Sequence, residues 1–174
     1  TYNYVWTRDG ALIALTLQKA GYSELVEKFY IFCGEIISDF GCFLHKYNPD
    51  GSLGSSWHPW SKDGKPQLPI QEDETALVIY SLWDYYKRTK NIHLIRKLYK
   101  KLILKAADFM VKYIDGNTNL PKESYDLWEE RQGILTFTCS TVYAGLLCAS
   151  EFANLFGHGK KAQLYKSTAL KLKD

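Results

Sequence analysis

The chain has 174 residues, of which 46% are apolar and 15% aromatic, and this composition excludes a disordered chain and is sufficient for one domain with a sizeable core. Its formal net charge of +3 is too small to demand a nucleic-acid partner, and no apolar run reaches the roughly eighteen residues that a membrane span needs. The four Cys form neither a CxxC pair nor a zinc-like spacing, so we expect buried thiols, no metal and no other cofactor.

Six helical segments are predicted along the chain, in three pairs. The first helix of each pair is apolar on nearly every face, and these helices are predicted at residues 9–20, 72–89 and 138–156. The second has one apolar stripe, and these are predicted at residues 23–39, 93–115 and 160–173. Helices that are apolar all round fit an inner layer, and striped helices fit an outer layer. The pattern predicts an all-α array of helical hairpins, either an open solenoid or part of an (α/α) barrel, and the lack of a fixed-period repeat disfavours the solenoid.

Residues near the predicted helix ends indicate where the helices begin and end. Ser23 is a candidate N-cap for the second helix, because its hydroxyl can accept a bond from a free backbone N–H. Gly21, Gly116 and Gly157 are placed to follow the C-terminal ends of three helices, where glycine adopts the left-handed conformation without strain.

Three unusual loops each lead into one of the all-apolar helices. They are "YNYVWTRD", the long loop of residues 40–71 that ends in "PIQ" before "EDET", and "SYDLWEERQG". If the all-apolar helices run parallel in an inner ring, the three loops meet at one end of it. We therefore predict a site at that end, built from Trp, Tyr, Arg and carboxylates.

The acids of "LWEE" have two interpretations. A carboxyl group beside a second acid or an apolar wall such as Trp128 can hold its proton near neutral pH, which suits acid–base catalysis by Glu129. Alternatively, Glu129 or Glu130 only stabilises the start of the following helix through its dipole.

The motif "WTRD" also has two interpretations. Asp9 is either the N-cap of the first helix with Arg8 as its ion-pair partner, or both residues bind neighbouring hydroxyls of a sugar. In the second case the aromatic residues before them would supply stacking faces. In "GSSWHPW" a lone His without a second ligand is a poor metal candidate, and the two Trp residues better fit the rim of a groove.

The stretches "YNYVWTRDGALIALTLQKAG", "PIQEDETAL" and "YDLWEERQG", in this order and spacing, resemble the glucoamylase family, glycoside hydrolase family 15. The resemblance covers essentially the whole chain, residues 1–174, as one partial catalytic domain. It implies the (α/α)₆ barrel of twelve helices, of which about six are present, and the release of glucose from the non-reducing ends of α-glucans with inversion.

The resemblance also implies the roles of single residues. The first acid of "LWEE", Glu129, corresponds to the general acid, and a second carboxylate activates water about 6.5–9.5 Å away. The other implied residues bind substrate, and Gln71 and Asp73 match the family only loosely. The substrate-binding set is Tyr2, Trp6, Arg8, Asp9, Leu127, Trp128 and Glu130.

No motif of the chain matches the loop that carries the catalytic base in this family. We therefore expect this chain alone to be inactive. Half a barrel would expose the inner faces of three apolar helices, so we also expect the remainder of the barrel or a second copy to cover them, with dimerisation or poor solubility of the isolated chain.

Three functions remain open from the sequence. A glucoamylase-like glycosidase acting on an α-glucan or oligosaccharide is favoured. A trehalase or glucodextranase shares the fold, and a non-catalytic domain, as in the large subunits of phosphorylase kinase, would bind carbohydrate or protein partners. We expect no nucleic-acid or membrane partner. The missing signal peptide favours a soluble, cytoplasmic protein, an expectation that a segment before Thr1 would change.

Overall fold

The computed structural model describes residues 3–57 and 59–172, and within them the regular secondary structure is helical apart from two short hairpins, with long irregular loops between the elements. The helices are α1 (Thr7–Lys19), α2 (Ser23–Ile36), α3 (Glu72–Thr89), α4 (Ile92–Leu98), α5 (Leu104–Lys112), α6 (Thr136–Leu155) and α7 (Gly159–Lys171). A π-helical segment, Tyr99–Ile103, joins α4 to α5 without a break. The hairpins are β1 (Ser61–Lys62) with β2 (Lys65–Pro66), and β3 (Ser124–Tyr125) with β4 (Gln132–Gly133).

The first helix of each pair belongs to one layer, and the prediction of an all-α, paired architecture is confirmed. In that layer α3 is central and packs against α1 on one side and α6 on the other. Helices α2, α5 and α7 pack against this layer from outside. Helices α3 and α6 approach so closely that a Cβ at Gly145 would lie 2.9 Å from the carbonyl oxygen of Ala76, a distance that requires glycine at this position.

Aromatic side chains hold the inner layer together. Trp83 of α3 packs edge-on against the buried Phe152 of α6, with ring centroids 4.7 Å apart. Tyr30 of α2 and Tyr85 of α3 meet in the same geometry at 5.6 Å, and both are fully buried. Each buried ring of this kind contributes about 1.5–3 kcal/mol by removal from water.

Helix α1 is less enclosed than its composition predicts. Leu12 is 46% and Ile13 58% exposed, because α1 lies at the edge of the layer and contacts neighbours on one side only. Phe137, in the first turn of α6 at the opposite edge, is 40% exposed. Within the described residues, no helix is long and apolar enough to cross a bilayer.

Several predicted helix ends need correction. Ser23 is the first residue of α2 and makes no capping bond, so the predicted N-cap is wrong. Asp9 lies in the first turn of α1, which begins at Thr7, and is therefore not its N-cap. Gly21 and Gly157 follow their helices with φ of +88° and +74°, as predicted.

The predicted end of the fourth helix at Gly116 is also wrong, because α5 ends at Lys112. The chain leaves the helix early to pair with the segment before β3: Lys122 N donates to the carbonyl oxygen of Tyr113 at 3.0 Å, and Ile114 bridges Pro121. A tertiary pairing of this kind overrides a local glycine signal.

Candidate active site

The three loops that precede the inner helices meet at one end of the layer. The start of α1 contacts the start of α3, where the Arg8 backbone N–H donates to the carboxylate of Glu74 at 2.5 Å. Gln71, at the N-cap of α3, donates from Nε2 to the carbonyl oxygen of Asp126, in the loop before α6, at 2.5 Å. The predicted convergence of the loops is therefore present.

A depression of about 400 Å³ opens where the loops meet. It contains six of the residues predicted from the sequence, together with one Trp of the long loop. The lining residues are Trp6, Arg8, Asp9, Trp57, Leu127, Trp128 and Glu129. Glu130 is exposed and does not line the depression, and Tyr2 lies outside the described residues.

Glu129 is presented by a tight turn between β3 and β4. Its backbone has φ of +60°, an uncommon conformation for a residue other than glycine. Its N–H donates to the carbonyl oxygen of Asp126 at 2.9 Å, and the Asp126 carboxylate accepts from the N–H groups of Glu130 at 2.8 Å and Arg131 at 3.2 Å. The turn leaves Trp128 76% exposed, whereas Glu129 is 9% exposed.

Asp126 is thus the centre of the turn, and Gln71 attaches it to the helical layer. Gln71 is fully buried and Asp126 is half-buried, so the bond between them is partly shielded from water and is stronger than an exposed one. Asp126 was not predicted from the sequence, although an Asp ahead of a turn is a recognisable signal because its side chain caps free N–H groups.

Arg8 is held by three carboxylates. Its Nη1 lies 3.1 Å from Asp73 and 3.0 Å from Glu74, and its Nη2 lies 3.4 Å from Asp9. The hydroxyl of Thr7 donates to Glu74 at 2.7 Å. Asp73 and Glu74 are fully buried, whereas the Asp9 side chain is 58% exposed. Arg8 therefore joins the starts of α1 and α3 as well as lining the depression.

Charge and burial oppose each other in this cluster. Burial lowers the pKa of Arg8, but the carboxylates of Glu74 and Asp73 outweigh it, and the net shift is upward. Burial raises the pKa of Glu74 to about 8, against the opposing effect of Arg8. One guanidinium between two buried carboxyl groups leaves an excess of negative charge, and the charge of Asp73 adds to the rise in the pKa of Glu74.

Lys46 is a site residue that the sequence did not reveal. It is fully buried, and its Nζ lies 3.4 Å from the ring centroid of Trp57, 4.4 Å from Tyr4 and 5.3 Å from Trp6. Burial lowers its pKa, and the negative charge of Glu129 opposes that shift. Two of these rings line the depression, so Lys46 places a positive charge behind its aromatic wall. The contacts join distant parts of the chain, and no local motif signals them.

Glu72 is a buried acid behind the hairpin that carries Glu129. It is 1% exposed, and burial raises its pKa to about 7, which the nearby hydroxyl of Ser124 opposes in part. Ser124 belongs to β3, so this carboxyl group lies between α3 and the hairpin.

We expect Glu72 to make stability depend on pH. Because its folded pKa is raised above the ordinary value of 4.5, its contribution is fully present below that value and is lost as the pH rises through about 7. The loss between pH 5 and pH 8 is about 2–3 kcal/mol. Glu72→Gln should remove it, so that its melting temperature at pH 8 exceeds that of the wild type by several degrees.

The measurement is thermal unfolding by circular dichroism from pH 5 to pH 8. Glu151→Gln, on the exposed surface of α6, is the matched control and should follow the wild-type curve. Parallel curves for Glu72→Gln and the wild type would refute the assignment.

Within residues 3–57 and 59–172, no group of three or more His, Cys, Asp or Glu side chains is arranged to hold a metal ion. His45 packs against Trp60 at 5.3 Å between ring centroids. His58 lies outside the described residues.

Comparison with known proteins identifies related sequences. The profile of the family described as Glycosyl hydrolases family 15 matches residues 60–174. An uncharacterised glycosyl hydrolase of Methanocaldococcus jannaschii is 30% identical over 149 residues, which are 85% of this chain. Glucoamylase 1 of Rhizopus oryzae is 26% identical over 97% of the chain, and trehalase 2 of Sulfolobus acidocaldarius is 28% identical over 99%.

The solved structures that resemble this chain have the same fold. A glucoamylase from Saccharomycopsis fibuligera superposes over 99% of the chain with a TM-score of 0.76 at 24% identity, and a bacterial glucoamylase in complex with acarbose superposes over 98% with a TM-score of 0.75 at 23% identity. These likenesses confirm the (α/α)₆ barrel fold. The chain spans 21%, 28% and 31% of the lengths of the three relatives, and 39% and 21% of the two structures.

Proposed function

The chain belongs to glycosyl hydrolases family 15, and we propose that it forms the general-acid side of an inverting active site that releases glucose from the non-reducing ends of α-glucans. The observation that carries this proposal is the turn of Glu129. A strained backbone holds a nearly buried carboxyl group in a depression that also contains three Trp, an Arg and an exposed Asp. A site of this kind offers a proton donor beside groups that bind hydroxyls.

Glu129 would donate its proton to the glycosidic oxygen as the bond to the anomeric carbon breaks. In an inverting enzyme, a second carboxylate on the other side of the sugar activates the attacking water at about 6.5–9.5 Å. We assign that base to no residue of the described chain. Lys46, behind the aromatic wall, would favour the carboxylate that forms when Glu129 gives up its proton.

The remaining residues of the depression would orient the terminal sugar. Asp9 is the exposed acid, and we propose that it accepts bonds from sugar hydroxyls while Arg8 positions it at 3.4 Å. Trp6 and Trp128 present aromatic faces, and Leu127 supplies backbone and side-chain contacts.

Two proposed binders are less well supported. Glu130 is exposed and does not line the depression, and its N–H is used within the turn, so a substrate role for it would require contact with a sugar outside the depression. Tyr2 keeps its proposed role from the family resemblance alone.

We propose that residues 1–174 form one partial catalytic domain, and that further barrel helices or a second copy cover the open edge of α1. Leu12 and Ile13, both exposed on that edge, are the residues such a partner would bury. Because each side chain is already about half buried, completing their burial contributes about 1.5–3 kcal/mol to the association.

A second candidate function has its own support, since the Sulfolobus relative is described as a trehalase. The test is glucose release from maltose, isomaltose and trehalose by the protein that carries this chain. We expect maltose to be hydrolysed fastest. Preference for trehalose would favour the trehalase. Inertness towards all three, with binding retained, would favour the non-catalytic binding domain.

A further inference from the structure

A second cavity, of about 580 Å³, lies between the two hairpins. Its volume falls within the range of roughly 300–1,000 Å³ that is typical of small-ligand sites. It shares no lining residue with the depression that contains Glu129. Its walls come from β1, from the segment between α5 and β3, and from the strands of the hairpin that carries Glu129 in its turn.

The charged side chains in the cavity wall balance each other in number, and each already contacts another group of the protein. Lys62 forms an ion pair with Glu123 at 2.6 Å. Lys122 lies 5.4 Å from the ring centroid of Tyr113, and Asp115 accepts from two backbone N–H groups of its own turn. Two Lys and two acids sum to zero charge, so the wall offers an anion no excess of positive charge.

The remaining polar side chains are neutral. They are amides and hydroxyls, which donate and accept hydrogen bonds, as each hydroxyl of a sugar does. The neutral polar residues of the wall are Ser61, Gln67, Asn117, Thr118, Ser124 and Gln132. This chemistry matches a ligand with many uncharged hydroxyl groups.

Three aromatic side chains belong to the apolar part of the wall, together with the aliphatic residues Leu68, Ile70, Pro121 and Ile134. Trp60 and Tyr125 meet edge to face with ring centroids 4.5 Å apart, and Tyr113 also lines the cavity. Sugar rings carry C–H faces that pack on aromatic surfaces, while their hydroxyls point outward to polar groups. A wall that combines these aromatic rings with neutral amides therefore suits a saccharide better than an apolar ligand or an ion.

We propose that the cavity between the two hairpins is a second binding site for a short neutral oligosaccharide, separate from the depression that contains Glu129. The site adds binding capacity to the proposed hydrolase, and only the choice of a glucose oligomer as the ligand rests on the proposed function. Because β3 and β4 line the cavity and their turn carries Glu129, an occupant would contact the same hairpin from its other side.

Titration with maltotriose of the ¹⁵N-labelled protein that carries this chain, with Glu129→Gln to prevent turnover, tests the proposal. We expect two separate groups of amide shifts, one around Gln67, Asn117 and Gln132, and one around Asp9 and Trp128. In the Gln67→Ala, Asn117→Ala double variant, the affinity reported by the first group should fall at least about tenfold, because two neutral hydrogen-bonding groups are lost. The second group should be unchanged.

The matched control is the Asn154→Ala, Gln163→Ala double variant, which removes the same two amides from exposed positions on α6 and α7 and should bind as the wild type does. Inorganic phosphate is the probe for an anion site. The proposal is overturned if maltotriose shifts only the amide signals around Asp9 and Trp128, or if the first double variant binds maltotriose normally at the cavity. It is also overturned if phosphate displaces maltotriose from the cavity. Cavity binding without shifts around Asp9 would support the second site and count against the proposed function.

Discussion

Replacement of Glu129 by Gln is expected to slow glucose release from maltose by about 10²–10⁴-fold in the protein that carries this chain. The amide keeps the size of the side chain but has no acidic proton to transfer to the departing oxygen. Because the turn is held by the backbone and by Asp126, the substitution should leave the fold intact. Steady-state assays of glucose formation measure the effect.

A second substrate, with a leaving group that needs little acid catalysis, makes this test specific for the acid role. α-Glucosyl fluoride needs little help from an acid, because fluoride departs readily, so the loss for Glu129→Gln should be much smaller with this substrate than with maltose. Glu151→Gln, exposed on α6, is the control and should keep wild-type rates. An equal loss with both substrates would contradict the acid role, and an unchanged rate on maltose would eliminate it.

The helices could be predicted because their signals are local. The apolar faces of the inner helices, and the glycines after α1 and α6, are properties of neighbouring residues, and the structure has them where the sequence predicts. The early end of α5 was missed because it depends on pairing between Tyr113 and Lys122, nine residues apart along the chain, and helical periodicity does not signal such a pairing.

The candidate site divides in the same way. The gathering of Trp6, Arg8 and Glu129 follows from three loops that precede parallel inner helices, so the sequence was sufficient to predict it. The aromatic rings around Lys46 could not be predicted. They belong to Tyr4, Trp6 and Trp57, which lie 42, 40 and 11 positions away along the chain. A lysine in a polar loop is ordinarily exposed, and only the tertiary structure shows it to be buried.

Arg8 has both a site position and a structural one, since it lines the depression and also connects α1 to α3. The sequence left open whether it pairs with Asp9 or binds sugar, and the structure adds two partners, Asp73 and Glu74, from α3. Those partners are fully buried, so the guanidinium is the group that compensates the charge of whichever carboxyl group is ionised.

We therefore expect Arg8→Met to destabilise the chain by about 3–5 kcal/mol, because it leaves two buried carboxyl groups without their cation. Urea unfolding followed by circular dichroism measures the loss. Arg88→Met is the matched control: Arg88 pairs with Asp84 on the exposed side of α3, and its loss should cost less than about 1 kcal/mol.

The triple variant Arg8→Met, Asp73→Asn, Glu74→Gln separates the loss of charge pairing from the loss of packing. If the unpaired carboxyl groups cause the destabilisation, their neutralisation should restore most of the stability, whereas a packing defect would persist. A cost for Arg8→Met no greater than that for Arg88→Met would show that the cluster does not hold α1 to α3. With the triple variant folded, a remaining defect in maltose binding can be attributed to the sugar contacts of this cluster, because the structural contribution of Arg8 has then been compensated.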